Sequence, residues 1–150
     1  MTIEDYVSFE TAELLKEKGF NCECTHCFAL DTNEIQNIYD DVIPGYALLH
    51  PQDWNHITEE ELCQIGLSGW TNLSAPTLWA AMKWLREVHN LHISISVGLD
   101  SDTEQHYFFA PFVHRFKKSG VDYITPFSDD FDTAEEAAEA GIKYCLENLI

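Results

Sequence analysis

Between Ser74 and Val97 the hydrophobic period of the sequence changes from about 3.6 to 2, and no other feature constrains the fold as tightly. At about 100° per residue, Leu78, Ala81, Met82, Trp84, Leu85 and Val88 share one arc of about 160°, with Lys83, Arg86 and Glu87 opposite. That is a helix with a broad core-facing stripe. Ser74 is placed to cap it, Pro76 to sit in its first turn, and Asn90 to end it in the left-handed conformation. Over Leu91–Val97, Ile93, Ile95 and Val97 alternate with His92, Ser94 and Ser96, the pattern of a strand with one buried face.

Weaker signals flank this pair. Ser8 can cap a helix over Phe9–Lys18 with Gly19 as its stop, and Thr58 with Glu61 forms a capping box for a short helix ending at Gly66. Short strands are expected near Cys27–Leu30 and Tyr46–His50. Gln105–Phe116 reads as an aromatic-rich strand or strand pair broken by Pro111, and Val121–Thr125 as a further strand after the turn Lys117–Gly120. Asp132 or Thr133 caps a last helix whose apolar stripe is Ala134, Ala138, Ile142, Cys145, Leu146 and Leu149. The expected fold is α+β, one domain over residues 1–150: a small antiparallel sheet packed on one face by two long helices, plus a short N-terminal helix. Met82, Leu85, Val88, Ile93, Ile95, Ile142 and Leu146 are expected to share a core.

Charge narrows the partners. Twenty-six acidic against eight basic residues leave a formal charge of −18, which withholds the cations that direct nucleic-acid binding requires and repels an anionic membrane. An apolar share of 45% with 19 aromatic residues still supports a firm core. Met1–Phe9 holds Glu4 and Asp5 but no Lys or Arg, the wrong start for a secretory signal, so a cytoplasmic location is expected. The odd set of five cysteines does not read as a disulfide framework.

Three segments carry a resemblance: Tyr6-Val-Ser-Phe-Glu10 with Leu14–Phe20, Ser74–Thr77 with Met82–Ile93, and Phe131-Asp-Thr133 with Ala140–Ile150. Together they resemble a family of small uncharacterised acidic proteins from gut anaerobic bacteria and their phages and other mobile elements. The resemblance implies an association with mobile elements and supplies no activity, cofactor or catalytic residue.

Cys22, Cys24, His26 and Cys27 are the candidate metal ligands, since thiolates and an imidazole at this spacing can converge on Zn²⁺. A structural zinc site usually pairs two such knuckles and no second one follows, so the cluster is expected to be metal-free at rest and no cofactor is assigned, with Zn²⁺ as the alternative. Cys24-Thr-His-Cys27 also has the form of a thiol–disulfide exchange motif, but the sequence after it lacks the helix that would activate the first thiol. His50, Asp53 and His56 form a polar loop that could hold a metal or present a general base. His89 lies where a helix C-terminus favours a cation.

The last constellation is acidic. Asp129, Asp130, Asp132, Glu135, Glu136 and Glu139 crowd one helix start, where the macrodipole favours carboxylates. Their field can imitate a phosphate array and engage a basic protein surface. The favoured expectation is a non-enzymatic, protein-binding accessory protein, and the alternative is a small metal-dependent or zinc-binding enzyme or module built on Cys22–Cys27.

Overall fold

The computed structural model describes residues 5–29, 34–36, 51–64, 66, 72–99, 107–124 and 130–150. Helices and antiparallel sheets occur together, so the chain is α+β. It divides into two compact units that comprise mainly residues 6–77 and 78–150.

In the first unit, α1 (Phe9–Glu17) starts where Ser8, in extended backbone, accepts a hydrogen bond from the Thr11 N–H. It stops at Gly19, whose φ of 88° suits a residue without a side chain. Ala12 and Leu15 face inward, and the chain turns back so that Phe20 N–H donates to the Leu15 carbonyl and its ring is buried. β1 (Cys27–Ala29) runs antiparallel between β2 (Glu34–Gln36) and β3 (Asn72–Ser74), with Phe28 opposite both Ile35 and Leu73. α2 (Glu59–Gln64) begins at the expected cap, Thr58 Oγ1 accepting from Glu61 N–H at 3.2 Å.

Ser74 is not the cap of the long helix. It closes β3, opposite Cys27, and its N–H donates to the Asn55 side chain, while Pro76 lies ahead of the helix rather than in its first turn. The strand expected at Tyr46–His50 lies outside the described residues.

The second unit opens with α3 (Leu78–His89), which Asn90 ends at φ 57°. β4 (Leu91–Leu99), β5 (Tyr107–Lys117) and β6 (Gly120–Ile124) form an antiparallel sheet in that order, followed by α4 (Ala134–Asn148). β5 is one unbroken strand, against the expectation of a break at Pro111. The ladder explains the tolerance. Phe116 N–H donates to Asn90 O, so the even-numbered β5 amides point to β4 and the odd ones to β6. Pro111 is odd, and the described β6 ladder reaches only to Ile124 opposite Val113, so no described hydrogen bond is lost.

Leu91 and Ile93 of β4 and Val113 of β5 share one face of the sheet and are buried, and Leu85 of α3 and Ile142 and Leu146 of α4 are buried too. Gly141 lets α4 approach closely: a methyl there would stand 3.0 Å from Ile93 and 3.2 Å from Pro111. Two expected core residues, Met82 and Ile95, are half-buried. Val88 is a plain correction at 56% exposure. The His89 ring lies 4.7 Å from that of Trp84 and closes the end of the apolar stripe in its place.

Candidate functional site

The acidic segment is held in place at two points. Between Asp130 and Asp132, Phe131 exchanges two backbone hydrogen bonds of 2.8 Å with Phe109 of β5. Beyond Asp132, Thr133, extended at φ −129° and ψ 154°, caps α4 by accepting from Glu136 N–H at 3.1 Å. Asp130, Asp132 and Glu136 are exposed, whereas Glu135 is half-buried. Glu139 is also half-buried and turns Oε2 away from solvent, so it belongs to the helix flank more than to the display. Asp129 lies outside the described residues. The first cation along α4 is Lys143, which pairs with Glu147 at 3.9 Å.

The cysteine cluster is spread over different environments. Cys22 is exposed, Cys27 is buried within β1, and Cys24 is buried at an isolated bridge with Gln52, their amides and carbonyls exchanging bonds of 2.8 and 3.1 Å. The Cys24 carbonyl also accepts from the buried Trp54 indole at 2.8 Å. His26 packs its ring 4.8 Å from that of Tyr6, and the hydroxyls of Thr25 and Tyr6 lie 2.8 and 3.3 Å from its Nδ1. All five cysteines are free, and among the described residues no three His, Cys, Asp or Glu side chains are grouped to hold a metal.

Burial, reinforced by the nearby Cys22 and Asp53, pushes the Cys24 thiol up to about 12. It is therefore protonated at neutral pH when no metal is bound, which does not suit a nucleophile. Thiol exchange fails on the same ground, and Cys27 stands on a strand instead of at a helix start.

Asp53 and His56 do meet, Oδ2 to Nδ1 at 2.8 Å, with Asp53 Oδ1 also accepting from Asn55 N–H. His50 lies outside the described residues. Asn55 pins this segment by donating to Phe20 O and accepting from Ser74 N–H, each at 3.0 Å. The pair can relay a proton, but the thiol nearest to it in electrostatic terms is the protonated Cys24. Burial lowers the pKa of His89 at the end of α3, and its buried Nε2 has no hydrogen-bond partner among the described residues.

One constellation was not legible in the sequence. His92 of β4, His114 and Phe116 of β5, and Tyr123 and Val121 of β6 fall on the same side of the sheet, the side opposite Leu91 and Ile93. Their rings adjoin one another: His92–His114 at 6.1 Å, His92–Phe116 at 6.0 Å and His114–Tyr123 at 5.0 Å. Only the pairing register reveals the group, because the three strands contribute one or two members each. The signal available was the alternation of β5 around the hairpin turn at Lys118–Ser119.

Comparison of the chain with protein-family models, with curated proteins and with solved structures finds no match in any of the three.

Proposed function

We propose that this chain is a non-enzymatic accessory protein, associated with phages or mobile elements as the resemblance implies, that binds a basic surface of another protein through its acidic α4 start and acts there as a mimic of nucleic-acid phosphate. One observation carries the reading: on a chain of net charge −18, Asp130, Asp132 and Glu136 are exposed on a segment fixed by the Phe109–Phe131 bridge and the Thr133 cap. Carboxylates held by a backbone bridge and a cap lose less freedom on binding than carboxylates on a loose tail. The same reading takes the scaffold to be the β4–β5–β6 sheet covered on one face by the two long helices α3 and α4. The close approach of Gly141 to Ile93 and Pro111 supports that arrangement for α4.

Electrostatic attraction acts mainly on the association rate, and it fades as the Debye length shrinks from about 10 Å at 0.1 M salt to about 3 Å at 1 M. The test is affinity capture from host lysate at low and high salt, followed by association kinetics with each recovered partner. Changing Asp129, Asp130, Asp132, Glu135 and Glu136 to Asn or Gln is expected to slow association at least tenfold at low salt and to remove most of its salt dependence. Equal association rates for parent and neutralised chains, or no partner at any salt, would end this reading.

A further inference from the structure

We propose that His92 and His114 form a two-histidine site for a borderline divalent cation of the zinc, nickel or copper class, with water completing the coordination. The two residues stand directly opposite each other across β4 and β5, in the register that pairs Ile93 with Val113. In such a pair both side chains leave the same face of the sheet, one strand spacing apart. Their ring centroids are 6.1 Å apart. Two imidazoles sharing one tetrahedral ion at metal–nitrogen distances of about 2.0–2.1 Å would have centroids about 5 Å apart, which small side-chain rotations supply. The described contacts of the two rings are with each other, with Phe116 and with Tyr123.

The surroundings favour a ligand over a simple ring contact. Tyr123 and Phe116, both exposed, flank the pair at 5.0 Å from His114 and 6.0 Å from His92 and leave it open to water, which completes the coordination. Arg86 is an unfavourable neighbour of His92, and its guanidinium is engaged 5.6 Å over the ring of Trp79. The overall charge of −18 concentrates cations near the surface. Imidazole donors select zinc, nickel and copper over magnesium and calcium, and a site with only two protein ligands exchanges its ion readily.

The test is calorimetric titration of the full chain with Zn²⁺, in a background where the exposed thiols are removed as Cys22→Ser and Cys63→Ser. One saturable equivalent is expected, weakened at least tenfold by His92→Gln or His114→Gln, unchanged by His56→Gln, and tightened severalfold by Arg86→Gln. Copper electron paramagnetic resonance on the same Cys22→Ser/Cys63→Ser chain gives a readout that needs no histidine variant, and two nitrogen donors are expected. Absence of saturable binding, binding that survives both His→Gln changes, or a spectrum with sulfur donors or a single nitrogen would overturn the proposal.

Discussion

Residues 6–77 and 78–150 are almost equal in length and equal in acidic content, yet they are built on different principles. The first carries twelve acidic side chains against two lysines, and the second twelve against six basic ones. In the second unit long elements meet through apolar stripes: the twelve residues of α3, the nine of β4, the eleven of β5 and the fifteen of α4. In the first, three strands of three residues each pair through their backbones, and single polar side chains tie neighbouring segments to one another. Asn55 ties Phe20 to Ser74, and the Trp54 indole ties its own loop to Cys24. A long element repeats its period often enough to specify itself, whereas a three-residue strand depends on partners far away in the chain.

The largest expected effects test whether one buried ring does for the first unit what the apolar stripe does for the second. Trp54 and Leu85 are 2% and 0% exposed. Trp54→Ala should cost about 3–5 kcal/mol and Leu85→Ala about 2–5 kcal/mol in denaturant unfolding. Trp54→Phe separates packing from pinning, because it keeps an aromatic ring but withdraws a donor from the Cys24 carbonyl, at a cost of about 1–3 kcal/mol. A loss below about 0.5 kcal/mol for Trp54→Ala, the range of surface changes, would mean that the first unit is organised around something else.

The first unit buries Cys24 and Cys27 and the second Cys145, and Cys24 with Cys145 allows a matched comparison at high pH. Burial lifts Cys24 in the first unit and Cys145 in the second from 9.0 to about 12. The unfolded thiol ionises from about pH 9 while the folded one keeps its proton, so the unfolded state binds fewer protons and stability falls as pH rises. The loss should run from about pH 9 to about pH 12 and shrink in Cys24→Ala or Cys145→Ala. In alkylation at pH 8, the exposed Cys22 and Cys63 should react in minutes and the three buried thiols, Cys24, Cys27 and Cys145, only on unfolding. Rapid labelling of Cys24 in the native chain would show that the loop closed by Trp54 opens locally.

The legibility of the sequence follows the same division. The Ser8 cap, the Gly19 stop, the Thr58 box and the left-handed Asn90 each involve residues within a few positions, and each is found where it was expected. The β2–β1–β3 sheet was missed as a sheet because its pairing spans from Cys27 to Ser74, with no alternation inside three residues. Ser74 was misread for a related reason: serine before proline looks like a cap locally, and only the distant Cys27 and Asn55 make it the end of a strand. Pro111 misled because the ban on proline applies to one edge of a strand at a time. For the candidate sites, the cap that orients the acidic segment was legible, whereas the spread of the cysteines and the His92–His114 pairing required long-range register.

The smallest expected effect lies in the caps. Thr58 and Thr133 make equivalent bonds, 3.2 Å to Glu61 N–H and 3.1 Å to Glu136 N–H. A cap bond costs about 0.5–2 kcal/mol to remove, typically about 1 kcal/mol, when the helix it starts is coupled to the core. α4 buries Ala137, Ala138, Gly141, Ile142, Cys145 and Leu146, while α2 buries only Leu62 among its described residues. A cap can destabilise the whole protein only as far as fraying its helix exposes core. Thr133→Ala is therefore expected to cost about 1 kcal/mol, and Thr58→Ala a few tenths, in denaturant unfolding. Thr133→Ser, which keeps the hydroxyl, should recover most of the loss. Equal costs at the two caps would show that the short helix of the first unit is as tightly coupled to its core as the long helix of the second, and the contrast between the units would then lie only in how far apart in the chain their contacts are made.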